Sequence, residues 1–93
     1  MYLIIFSTRA RKSLHKCSEG GSFPEKKFEQ VLRHFRSGEW LPPQYKDHRL
    51  AGNLARYREL HLAFDLLVQY ERDDVLRLIK IVKIGTHTEL FGE

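Results

Sequence analysis

The stretch ARYRELHLAFDLLVQYERDDVLRLIKIVKI, residues 55–84, decides the fold. It breaks into three runs rich in apolar, β-branched and aromatic residues, separated by short turn-forming segments. Residues 55–62 read as one strand, Ala63-Phe64 as a tight connection and residues 65–71 as a second strand. Arg72-Asp73-Asp74 then turns the chain into a third strand over residues 75–84, which Gly85 closes. The apolar density of Leu66-Leu67-Val68, and of the run from Leu76 to Ile84, suits central antiparallel strands.

Upstream, residues 39–53 read as irregular. Pro42-Pro43 blocks a helix and Ala51-Gly52-Asn53 is turn chemistry. Loops held on a rigid scaffold often carry function, and this one holds the polar cluster Lys46-Asp47-His48-Arg49. Before it, Phe28, Val31, Leu32 and Phe35 fall at i, i+3, i+4 and i+7, the single apolar stripe of a helix that Gly38 ends. Ser22-Phe23-Pro24-Glu25 has the form of a capping box for its start. A shorter basic helix precedes it, capped by Ser7 or Thr8, running to about His15 or Lys16 and broken by Gly20-Gly21. Residues 2–6 read as a strand. The expected fold is α+β, with element order β-α-α-β-β-β: an antiparallel sheet with two N-terminal helices packed on one face, in a single domain over residues 1–93.

Composition narrows the partners. Of 93 residues, 42% are hydrophobic and 30% charged, which suits a globular chain rather than a disordered one. The longest apolar run is too short to span a membrane. The N-terminal run lacks a basic n-region and passes directly into Ser7-Thr8-Arg9, so it reads as a strand rather than a leader. Sixteen Lys and Arg against twelve Asp and Glu leave a charge of +4, which suits nucleic acid or an acidic protein. Cys17 is the only cysteine, so an intrachain disulfide and a cysteine-based zinc cage are excluded. A reducing cytoplasm is the expected compartment. Cys17 lies in a polar stretch and reads as an incidental thiol.

Strand alternation sorts the candidate chemistry. Tyr57, Glu59 and His61 share a face, and Asp65 begins the next strand just across the turn. Lys83 ends the third strand and His87 follows. In a meander these ends meet at one sheet edge, with the His48 loop folding over them. Three histidines, a carboxylate and a cation suit cleavage of a phosphodiester by its neighbouring 2′-hydroxyl. Imidazole serves as acid or base near neutrality, and a lysine offsets charge growing on the phosphorus oxygens. Each residue also has a structural reading: His61 as a hydrogen-bonded interior histidine, Asp65 as a turn former, Lys83 as a solvated strand end, His87 as a cap for the tail. His15 and His34 read as helix-surface residues without a role. Metal binding ranks below acid–base work, because no His-x-His or His-Glu-x-x-His spacing is present. No Ser or Cys stands in a nucleophile's setting. No cofactor is expected.

Four segments, Asp47-His48-Arg49-Leu50-Ala51-Gly52, Tyr57-Arg58-Glu59-Leu60-His61, Asp65-Leu66-Leu67-Val68-Gln69-Tyr70 and Gly85-Thr86-His87-Thr88-Glu89-Leu90-Phe91, together resemble the YafQ branch of the RelE superfamily, toxins of bacterial type II toxin–antitoxin systems. The resemblance covers residues 41–92 closely and the N-terminal third only in its order of elements. It implies a ribosome-dependent endoribonuclease that cuts translated mRNA in the ribosomal A site. It also implies a cognate antitoxin of the ribbon-helix-helix type, and operator DNA contacted through that antitoxin. The family's functional positions fall on His48, His61, Asp65, His87 and Phe91. On this reading His87 is the general acid, His48 or His61 the base, and Asp65 the residue that orients or charges a histidine. Lys83 neutralises the scissile phosphate, Phe91 packs on a base, and Lys46, Arg49 and Arg58 hold RNA. The chain departs from the family at Leu66, where an aromatic is usual, and at Lys83, where Arg is usual. The first change removes a stacking platform and the second the planar phosphate fork. Competing readings are a gyrase-directed toxin like the ParE group, a non-catalytic RNA- or protein-binding module, and a metal-dependent nuclease.

Overall fold

The computed structural model describes residues 1–91. The chain runs through β1 (Leu3–Phe6), α1 (Thr8–Glu19), α2 (Glu25–Ser37), a 3-10 turn (Pro43–Tyr45), β2 (His48–Arg49), a second 3-10 turn (Gly52–Leu54), β3 (Arg58–Ala63), β4 (Leu66–Asp73), β5 (Leu78–Gly85) and α3 (His87–Phe91). The strands form one sheet in the order β1-β5-β4-β3-β2. The α+β class and the order of the main elements are as the sequence predicts. The sheet is mixed, however: β2 to β5 pair antiparallel, while β1 lies parallel to β5. Both helices lie between β1 and the meander, so β1 is free to enter beside the last strand in the direction a crossover imposes.

Helix α1 starts where expected. The Ser7 hydroxyl oxygen accepts the Ala10 amide at 2.9 Å and donates to the Val82 carbonyl at 2.6 Å, tying the helix to β5. Helix α2 buries the expected stripe through Phe28, Val31 and Phe35. Its expected capping box does not form: Pro24 takes the N-cap position without a side-chain cap bond. Gly38 ends α2 in the left-handed region, where a Cβ would stand 2.5 Å from the Tyr2 ring.

The hairpin between β4 and β5 sits later than expected. The Asp73 carboxylate accepts the amides of Val75 and Leu76 at 3.0 and 2.9 Å, so those two apolar residues belong to the turn. Leu60 and Leu62 of β3, Val68 and Tyr70 of β4 and Ile79 and Ile81 of β5 join Ala10, Phe28, Val31 and Phe35 of the helices in one core. A register shift at Gln69/Tyr70 pairs Gln69 with Lys83 and Tyr70 with Ile81. The extra residue lets Ile81 face the helices while Lys83 remains on the far face. That open face carries the site.

Candidate active site

The site is built on the pleat. Pairing of β2 with β3 sets His48 opposite Glu59, and the alternation of β3 brings His61 to the same face. His48 Nε2 lies 3.4 Å and His61 Nε2 3.9 Å from Glu59 Oε2. Glu59 is only 4% exposed, and its Oε1 has no hydrogen-bond partner. These pairs become ionic when an imidazole gains a proton. His48 Nδ1 lies 2.7 Å from the Lys46 carbonyl. A carbonyl only accepts, so Nδ1 carries the proton and the neutral ring offers Nε2 as a base.

The second half comes from the β3–β4 connection and α3. Asp65 Oδ1 accepts both the backbone N–H and the ring Nδ1–H of His87, each at 3.1 Å. The His87 amide first, and its ring second, hold the Asp65 carboxyl below the usual carboxylate range. Residues 87–91 form helix α3 rather than an irregular tail, because Thr86 and Glu89 form a reciprocal cap: the Thr86 amide donates to Glu89 Oε1 at 2.8 Å and the Glu89 amide to Thr86 Oγ1 at 3.1 Å. Gly85 makes room for it, since a Cβ there would stand 2.6 Å from Glu89 Oε1. Arg9 and Lys83 hold the far end, donating to the carbonyls of Glu89 at 2.8 Å and Leu90 at 3.2 Å.

The result is a row of rings. Centroids are 6.0 Å apart from His48 to His61, 6.2 Å from His61 to His87 and 6.1 Å from His87 to Phe91. Beside the row an open groove of about 660 Å³ is lined by Lys27, Gln44, Lys46, His61, Asp65 and His87, among others. Spacings near 6 Å suit an acid and a base placed on either side of one phosphate.

His48, His61, Asp65, His87, Phe91 and Lys46 are thus brought together as the sequence predicts. Lys83 shares their face, but its ammonium is engaged by α3. Arg58 is not with them. Alternation sends it to the helix side with Leu60, where its Nε donates to Asp47 Oδ1 at 3.1 Å and its guanidinium stacks 4.9 Å from Trp40. Tyr70 donates to the same Asp47 oxygen at 2.7 Å, and burial holds its hydroxyl protonated far above the ordinary tyrosine range. Arg49 donates to the Ala55 carbonyl and borders a separate cavity with Trp40, Arg56 and Arg72. Leu66 packs against the core, away from the groove.

Glu59 had no assigned role in the sequence. The signal was its i, i+2 relation to His61. With His48 it also builds a set of donors that could hold a metal ion, the ligand atoms of His48, Glu59 and His61 lying within 4.8 Å of one another. The linear spacing hid this because the set is completed across two strands.

No helix among the described residues is long and apolar enough to cross a membrane. Residues 2–92 match the profile of a family described as the bacterial toxin of type II toxin–antitoxin system, YafQ. The chain is 40% identical over 52 residues to the mRNA interferase toxin YafQ of Escherichia coli K12, a match covering 56% of this chain and 54% of that protein. The match therefore spans about half the length of that curated relative. The crystal structure of a metal-bound toxin from Helicobacter pylori superposes with a TM-score of 0.85 at 35% identity, covering 98% of this chain and 100% of that one. E. coli YafQ in its complex with DinJ superposes with a TM-score of 0.82 at 27% identity, covering 99% and 100%. The chain belongs to the YafQ family of bacterial type II toxin–antitoxin toxins.

Proposed function

We propose that the chain is a toxin that cleaves translated mRNA on the ribosome and thereby stops protein synthesis. The observation that carries this reading is the histidine row with a carboxylate at each end, Glu59 between His48 and His61 and Asp65 on His87. An imidazole of the row, His61 beside His87 or His48 beyond it, removes the proton of the 2′-hydroxyl. The 2′ oxygen forms a bond to phosphorus as the bond to the 5′ oxygen breaks, and His87 supplies the proton that the leaving 5′ oxygen needs. The products are a 2′,3′-cyclic phosphate and a 5′-hydroxyl. Lys46 and Lys27 stand on the groove for the phosphates, and Lys83 keeps α3 in place. Phe91 packs on a base, while Arg49, paired with Arg58 and bordering the separate cavity, stays outside the groove.

The reaction needs no metal on this reading. An antitoxin of the ribbon-helix-helix type holds the toxin inactive and carries the pair to operator DNA, in the bacterial cytoplasm. The DinJ complex of E. coli YafQ supports an antitoxin partner. A second reading, in which a divalent ion on His48, Glu59 and His61 activates the attacking oxygen, is favoured by the closeness of those donors and by the metal-bound relative.

Primer extension on mRNA translated in a purified system tests both. New 5′ ends with the wild-type chain, unchanged when the toxin is stripped of metal by EDTA and freed of chelator before it meets the ribosomes, and a loss of roughly 10²- to 10⁴-fold in His87→Ala, are expected. Absence of new ends at any dose, or full activity of His87→Ala, overturns the ribonuclease reading. Loss of cleavage by the stripped toxin, restored by added Zn²⁺, selects the metal-assisted one.

A further inference from the structure

Phe64 is 99% exposed at the connection between β3 and β4, the most exposed of the large apolar side chains among the described residues. A lone exposed ring is unremarkable by itself. This one lines the groove that His61, Asp65 and His87 line, and Lys27 and Lys46 line the same groove. It contributes nothing to the core, and its place is set by the turn that also presents Asp65 to His87. Leu66 packs into the core, so it offers the groove no stacking surface.

We propose that Phe64 is a base-stacking platform, holding one nucleotide of single-stranded RNA beside the scissile phosphate while the groove's lysines meet the flanking phosphates. This rests on the ribonuclease reading above. Aromatic faces accept any base, so the contact adds affinity and register rather than sequence preference. The ring stands free before binding, so stacking on a base would bury apolar surface now in water.

The test is steady-state cleavage of ribosome-bound mRNA by Phe64→Ala, Phe64→Leu and Phe64→Tyr. Phe64→Ala should raise KM by about tenfold, the weight of one stacked base, with kcat within a few-fold of wild type and an unchanged Tm. Phe64→Tyr should restore KM. Phe64→Leu, apolar but without a π face, should not. Wild-type KM in Phe64→Ala, or equal rescue by Leu and Tyr, overturns the proposal. So does a selective loss of antitoxin neutralisation, which would give the ring to a protein partner. Should the wild-type chain not cleave at all, the ribonuclease reading fails separately. Stacking is then read from Phe64→Trp in a Trp40→Phe background, where a single-stranded oligonucleotide should quench the indole fluorescence; no quenching overturns the platform.

Discussion

The two faces of the sheet are made from the same strands and do opposite work. Toward the helices β3 sends Leu60 and Leu62, β4 sends Val68 and Tyr70, and β5 sends Ile79 and Ile81, all at or below 2% exposure. Toward the other side the same strands send Glu59, His61, Gln69 and Lys83. Glu59 and Gln69 are as buried as core residues, yet each has a side-chain oxygen without a partner. On the covered face Asp47, Arg58 and Tyr70 bind one another, while the buried Tyr45 hydroxyl lacks a partner. Two of the three such buried atoms among the described residues therefore lie on the face that carries the histidine row.

Neighbouring residues on opposite faces give the sharpest way to break this comparison. Leu60→Ala should lower stability by about 2–5 kcal/mol, read by urea unfolding, while the folded fraction keeps wild-type cleavage. Asp47→Ala should cost about 2–3 kcal/mol, because it strands the Arg58 guanidinium and the Tyr70 hydroxyl at once, and it should loosen the loop that bears His48. Glu59→Gln, one residue from Leu60, should reverse the pattern. Cleavage should fall roughly ten- to a hundredfold, the weight of one hydrogen bond to a charged partner. Its Tm should stay level or rise, since a buried charge is removed. A fall in Tm with intact cleavage would make Glu59 a core residue.

The smallest effect concerns acid. The folded Asp65 carboxyl titrates lower than the unfolded one, so its link to α3 adds stability above the unfolded value near pH 4 and loses it as pH falls through the folded value. Asp65→Ala should therefore lower Tm slightly at pH 6 and not at pH 2–3. An equal deficit at both pH values would show that the carboxylate charge is not what anchors α3.

The helix stripe from Phe28 to Phe35, the Ser7 cap and the three long strands were legible because periodicity and capping are local properties of the chain. For the same reason His61, Asp65 and His87 could be gathered from alternation and one turn. The start of α3 was legible as well, in Thr86-x-x-Glu89, although those residues read as a tail. The turn at Asp73 was misplaced because apolar Val75 and Leu76 look like strand until a carboxylate takes their amides.

Chain order, strand period and the Ser7 cap thus determined from the sequence which residues alternate and where α1 begins, since each depends on neighbours a few positions away. Tertiary structure decided the rest. The parallel seat of β1, the pairing that lays His48 over Glu59, the extra residue that keeps Lys83 on the open face, the capture of its ammonium by α3 and the diversion of Arg58 to Asp47 all depend on register between distant segments. A slip of one residue exchanges the two faces, and no local pattern in the chain encodes which partner residue sits opposite.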